Sequence, residues 1–195
     1  MNKGQLLAVA AVAMIVLTLV MGAVGPHSWL MKKWNETPGY SQQAPATGTS
    51  VVGGPSLSAA KIDTILSNAG SPAAGTGSAF VLDSAQYNID DAVALAFFKH
   101  ESSFGTIGAA TATHSIGNIV CTSGYSCIGR FRAYASWSAG IDDWFRLISG
   151  PAYVSGGLTT LGQILPKYAP ASDNNSPDSY IAAVQADVQS WRATA

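Results

Sequence analysis

Charge is scarce in this sequence. Charged residues make up 11% of its 195 positions and the formal net charge is -1, so no basic face exists that would hold a nucleic-acid backbone. Nucleic acid is therefore not an expected partner. Internal repeats, heptad runs and phosphate-binding glycine loops are also missing, and no serine, histidine and acid fall into a nucleophilic triad pattern. Cysteine is confined to Cys121 and Cys127, with five residues between them in a Gly/Ser-containing loop and no CxxC spacing. A zinc site built from them and His114 lacks a clear fourth ligand, whereas a short disulfide in an oxidising compartment fits. The sequence calls for no metal or other cofactor. Finally, no Asp or Glu occurs between Ser102 and Ile141.

What is present divides into three parts. Residues 6–24 form nineteen consecutive uncharged positions, close to the length of a bilayer-spanning helix. This segment, taken as 1–25, is an uncleaved membrane anchor or a signal segment, and the anchor is preferred because the small-residue cleavage sites near Ala23 and Gly25 are poor. Lys3 precedes the span and Lys32 and Lys33 follow it, so positive charge alone does not orient it; the cysteines point the domain outward. Residues 26–55, rich in Pro, Gly, Ser, Thr and Gln, read as a flexible linker, with Trp29 and Trp34 near the membrane interface. Residues 56–195 are long enough for one core.

Within that domain the periodicities predict a mainly helical α+β fold. Ser58 is a candidate N-cap before Ile62, Ile65 and Leu66, with Gly70 as the stop, and a short helix is expected over Phe80–Tyr87. A further helix over about Ala139–Ser149 carries Ile141, Trp144, Phe145 and Ile148 on one face, and a shorter one follows near Thr160–Leu165. Ser176, Pro177 and Asp178 begin the last helix, whose buried stripe is Ile181, Val184, Val188 and Trp191. Between Gly105 and Arg132 there is no helical period, which suggests loops and a small β-hairpin holding the cysteines.

The central helix, from about Asn88 to Glu101, places Val93, Phe97 and Glu101 on one stripe, so an acid shares the core-facing side. Apolar surroundings and the negative helix end both disfavour its charged form, and a carboxyl that stays protonated is what a glycosidic leaving oxygen needs. The alternative is a helix-end carboxylate reaching into solvent.

The runs FFKHESSFGT, HSIGNI, FRAYASW and KYAPASDNNSPDSYIAAVQADVQSW occur in that order across about Ser56–Arg192. Together they resemble the bacterial peptidoglycan endo-β-N-acetylglucosaminidases of the autolysin and flagellar-rod type. The resemblance implies a lysozyme-like domain with a small β-lobe, acting on the β-1,4-linked glycan of peptidoglycan; the catalytic domain is expected to be monomeric. It also implies that Glu101, in the Glu-Ser motif, is the catalytic acid, and that Tyr134 lies in the cleft to position an acetamido group. A core aromatic with a satisfied hydroxyl is the other reading of Tyr134.

Glycosidases usually pair two carboxylates, and the acid-free β-lobe departs from the resembling family. Asp142 and Asp143 are the next acids, best read as N-terminal helix residues. With a single acid, the substrate's N-acetyl group assists or a sugar hydroxyl attacks internally, as in lytic transglycosylases; a glycan-binding module without turnover is the non-enzymatic alternative. A virus-encoded wall-penetration enzyme would share this architecture. Asn118 in the GN pair either orients substrate or stabilises a turn, Ser102 bonds substrate or its own backbone, and Tyr125 is an exposed aromatic suited to a sugar face. His100 is read as a packing or solvent residue.

Overall fold

The computed structural model describes residues 48–194. The anchor and most of the linker expected from the sequence lie outside these residues, and among the described residues no helix is long and apolar enough to cross a membrane. Among the described residues, seven α-helices, two 3-10 turns and one minimal hairpin make up the fold. In order the α-helices and strands are α1 (Ala59–Asn68), α2 (Gly77–Tyr87), α3 (Asp91–Ser102), α4 (Ala110–Thr113), β1 (Cys127–Ile128), β2 (Phe131–Arg132), α5 (Trp137–Ser149), α6 (Leu161–Tyr168) and α7 (Pro177–Arg192).

Helix α3 runs through the centre. Every residue from Asp91 to Phe98 is buried, so the single apolar stripe expected from the sequence is in fact a helix enclosed on all sides. Its start is fixed by Asp90, whose side chain accepts from the Ala92 N–H at 2.9 Å. Its end is set by Ser103 at φ 49°, followed by Phe104 at φ 58° and Gly105 at φ 80°. Two non-glycine residues in succession in the left-handed region are uncommon, and they directly follow Glu101 and Ser102. Gly105 has a second reason to be glycine: a Cβ there would sit 2.4 Å from the Trp137 ring.

Around α3 the aromatic residues interlock. Phe97 meets Trp144, Tyr168 and Tyr180 with ring centroids 5.1, 5.2 and 5.3 Å away, tying α5, α6 and α7 to the turn that precedes Glu101. On α5 the expected face is the buried one, since Ile141, Trp144, Phe145 and Ile148 are all inside. Likewise Ser58 caps α1 by accepting from Lys61 N–H at 3.2 Å, and α7 buries Ile181, Val184 and Val188. Ser176 does precede Pro177 at the start of α7, but its hydroxyl meets that of Ser179 and caps no backbone N–H.

Several boundaries differ from the sequence expectation, among them the start of α2 at Gly77 and the end of α6 at Tyr168. The tether predicted to extend to Pro55 ends earlier: Val51 is 1% exposed, its N–H donates to Thr159 O at 2.9 Å, and its carbonyl accepts from Asp90 N–H at 3.0 Å. Val51 and Val52 are β-branched residues that find edges to pair with, a contact that polar neighbours conceal in a composition average. Helix α5 begins at Trp137, with Ser136 accepting from Ala139 N–H, so Asp142 and Asp143 lie mid-helix and have no N-terminal role. The single turn α4 falls in the stretch read as loop, because four residues are too few to show a period.

The β-lobe is small. Its strands pair antiparallel with Cys127 opposite Arg132 and Ile128 opposite Phe131, and Val120 adds one bridge to Phe131. Cys121 and Cys127 are joined by a disulfide, closing the loop ahead of β1. Removing it as Cys121→Ser/Cys127→Ser is expected to lower stability by about 2 kcal/mol, since the closed loop is short. Urea unfolding of both proteins at one pH measures this; an unchanged midpoint would mean that the hairpin holds itself.

Candidate functional site

A cleft of about 720 Å³ opens beside the last turn of α3, and Glu101 lines it together with residues from the hairpin, α6 and α7. Both carboxyl oxygens of Glu101 are engaged. Tyr180 donates its hydroxyl to Oε1 at 2.8 Å, and the Asn118 amide donates to Oε2 at 3.2 Å. Burial pushes the Glu101 carboxyl up, the two donors pull it partly back, and the balance stays above the usual carboxylate range. The stripe geometry thus delivers a partly enclosed acid whose proton is retained toward higher pH.

Asn118 reaches the acid because of the turn it occupies. Its φ of 46° is left-handed, a conformation asparagine tolerates, and its amide also donates to the Glu101 carbonyl at 3.1 Å. The residue therefore serves the turn and the acid together. Gly117 before it is tightly enclosed: a Cβ would lie 2.1 Å from the Tyr168 hydroxyl, which itself donates to the Gly117 carbonyl at 2.5 Å. The Oδ1 of Asn118 is buried without a hydrogen-bond partner.

Tyr180 was not singled out by the sequence reading, although it lies within the closing run that carried the resemblance. Its ring is buried, packs on Phe97 and stacks on His100 at 3.6 Å between centroids, so His100 both packs and borders the cleft. A signal existed. Tyr180, Val184 and Val188 recur at helical spacing, and a tyrosine on a buried stripe must find a partner for its hydroxyl.

The hydroxyl of Tyr134 instead donates to Asp143 Oδ2 at 2.5 Å, and Tyr134 does not line the cleft. Asp143 is 2% exposed and also receives Arg132 Nη1 at 2.8 Å and Arg146 Nη2, while Arg132 Nη2 donates to Thr122 Oγ1 at 3.0 Å. Burial pushes the Asp143 carboxyl up, but donation from Tyr134 and Arg132 outweighs it and holds the group below its usual range. These bonds brace the hairpin, and with it the cleft wall, against α5.

Ser102 is fully buried, with its hydroxyl donating to Phe98 O at 3.3 Å and accepting from Gly105 N–H at 2.9 Å. It finishes the helix and does not reach the cleft, which corrects its expected contact with substrate. Tyr125 is exposed as expected, with one ring face covered by the Arg132 guanidinium at 3.6 Å, and it stands outside the cleft lining. His114 bonds the Tyr134 carbonyl through Nδ1 at 2.9 Å, and no cluster of metal-ligating side chains occurs among the described residues. Besides Glu101, one carboxylate lines the cleft among the described residues, that of Asp173. No protein-family model matches the chain, and no curated protein matches it.

Proposed function

We propose that the chain is a peptidoglycan-cleaving glycosidase acting at β-1,4 bonds between N-acetylglucosamine and N-acetylmuramic acid, with Glu101 as its general acid. The observation that carries this reading is the half-buried Glu101 carboxyl, bonded by Tyr180 and Asn118 at the wall of a cleft large enough for sugar rings. Tyr180 donates to Oε1 at the shorter distance, and Oε2, which accepts the longer Asn118 bond, keeps a second lone pair for the acidic proton. In the first step that proton passes to the glycosidic oxygen as its bond to the anomeric carbon breaks.

Among the described residues the hairpin wall carries no carboxylate, and Asp173, on the 3-10 turn Ala171–Asp173, is the one other carboxylate on the cleft. The positive charge that develops on the sugar is then relieved by the substrate's own N-acetyl oxygen, and the Glu101 carboxylate takes a proton from the water that completes hydrolysis. The same arrangement favours a second reading, a lytic transglycosylase, in which a sugar hydroxyl replaces water. The disulfide and the apolar segment 6–24 support a domain on the outer face of a membrane.

Mass spectrometry of purified peptidoglycan incubated with the full chain tests the proposal. New reducing-end N-acetylglucosamine is the expected product, and anhydro-muramyl ends would establish the transglycosylase instead. A folded chain that releases nothing from several wall types would be a binding module.

The pH dependence follows from the direction of the Glu101 shift. Turnover should fall as pH rises through the elevated Glu101 value, because only the protonated form donates. Tyr180→Phe deletes a bond that favours the carboxylate, so the alkaline limb should move to higher pH while kcat drops about tenfold. A pH–rate profile of both proteins reads this, and a limb that moves downward contradicts the assignment of Tyr180.

A further inference from the structure

We infer that Arg130 and Lys167 form a subsite for a carboxylate carried by the glycan, which makes the cleft selective for acidic strands over neutral ones. The inference names the substrate class of the proposed glycosidase and rests on that reading for the glycan.

Cations are few here and most are committed. Among the described residues, Lys99, Arg132, Arg146 and Arg192 each meet a carboxylate, and Lys61 is bonded to Thr194. Arg130 and Lys167 meet none among the described residues, and both line the cleft that holds Glu101. They arrive from different elements, Arg130 from the turn between β1 and β2 and Lys167 from the end of α6. The Arg130 guanidinium lies 5.4 Å from the Phe131 ring centre, which leaves its donors for a ligand. The Lys167 ammonium gives one bond to Ala152 O at 2.6 Å and rests 5.3 Å from the Tyr153 ring centre, with donors to spare.

Opposing charge in the cleft is limited. Both carboxyl oxygens of Glu101 are already taken by Tyr180 and Asn118, and Asp173 on the 3-10 turn Ala171–Asp173 forms an ion pair with neither cation. A third cation on the cleft, Arg132, is paired with Asp143 and is therefore not free for a ligand. Two unpaired cations in one groove of a weakly anionic chain favour an anionic ligand and suppress neutral competitors. On a muramyl glycan the carboxylate is either the lactyl group of the sugar or an acid of an attached peptide.

Affinity rather than turnover tests this, using the full chain in detergent with Glu101→Gln to prevent cleavage. Three fluorescent ligands are titrated: amidase-stripped muramyl strands, peptide-bearing strands and neutral N-acetylglucosamine oligomers. Acidic strands should bind more tightly than neutral ones, and the preference should shrink as salt rises. Arg130→Gln and Lys167→Gln should each reduce the acidic-to-neutral preference about fivefold, with charge reversal to Glu reducing it further, whereas Lys61→Gln leaves it unchanged. Tighter binding of the stripped strands assigns the lactyl group, and tighter binding of peptide-bearing strands assigns the peptide. Equal affinity for neutral and acidic ligands, or a preference untouched by either substitution, overturns the subsite. If wild type cleaves nothing yet keeps the salt-sensitive preference, the subsite stands and the glycosidase reading falls.

Discussion

Glu101→Gln is expected to reduce glycan cleavage by about 10²–10⁴-fold while leaving the domain folded and more stable at neutral pH. The loss follows from chemistry: an amide of the same shape cannot give up a proton to the leaving oxygen. The gain follows from burial, because the folded Glu101 carboxyl titrates above its unfolded value. Such a group supports the fold below its unfolded pKa, and that support is lost as pH rises through the folded value, so at neutral pH a buried carboxylate is a cost. Glutamine removes that cost. With its carbonyl toward the Asn118 amide and its NH2 toward the Tyr180 hydroxyl, which accepts as well as donates, glutamine keeps both contacts. Cleavage assays with thermal melts at pH 5 and pH 8 check both parts. Turnover within tenfold of wild type would remove Glu101 from the acid role, and a lower melting temperature at both pH values would mean that the carboxylate is structurally required.

The second large effect concerns Asp143→Ala. This carboxylate gathers Arg132, Tyr134 and Arg146, and its loss leaves Arg132, itself 8% exposed, with an uncompensated charge. Breaking a buried pair from one side costs about 3–5 kcal/mol, and the damage should concentrate in the hairpin wall. Asp143→Asn keeps acceptor and shape and is expected to cost less. Urea unfolding gives the total, and proteolysis near Arg130 locates the loosening; a destabilisation below about 1 kcal/mol would show that the hairpin stands without this anchor. Here the pH dependence has the opposite sign from Glu101. Because the folded Asp143 value is depressed, its stabilisation is present above the unfolded carboxylate pKa and is lost as pH falls through the folded one. Acid should therefore loosen the hairpin wall, while alkali destabilises the end of α3 that carries Glu101.

Local signals carried much of this architecture. The Ser58 cap, the Ser176–Pro177 helix start, the inward face of α5 and the placement of Glu101 at the close of the central helix all depend on residues a turn or two apart. The features that escaped depend on distant pairings. Tyr180 meets Glu101 across 79 positions, and Val51 pairs with Asp90 and Thr159. Tyr134 marks the limit most clearly, since a tyrosine near a cleft motif and one that caps a buried aspartate read alike until the fold puts Asp143 beneath it.

The pairing at Val51 has a mechanical side. Thr49, Val51 and Gly53 are stitched to Leu161, to Thr159 and Asp90, and to Asn88, respectively. Within the described residues, tension arriving along the chain from the N-terminal direction therefore meets these bonds before it meets a helix. Asp90, which takes one of them, is also the cap of α3 and is held by Arg192 from α7 and by Ser56. The point where load enters the domain is thus the root of the helix whose far end carries Glu101, and two separate elements share the strain at that root.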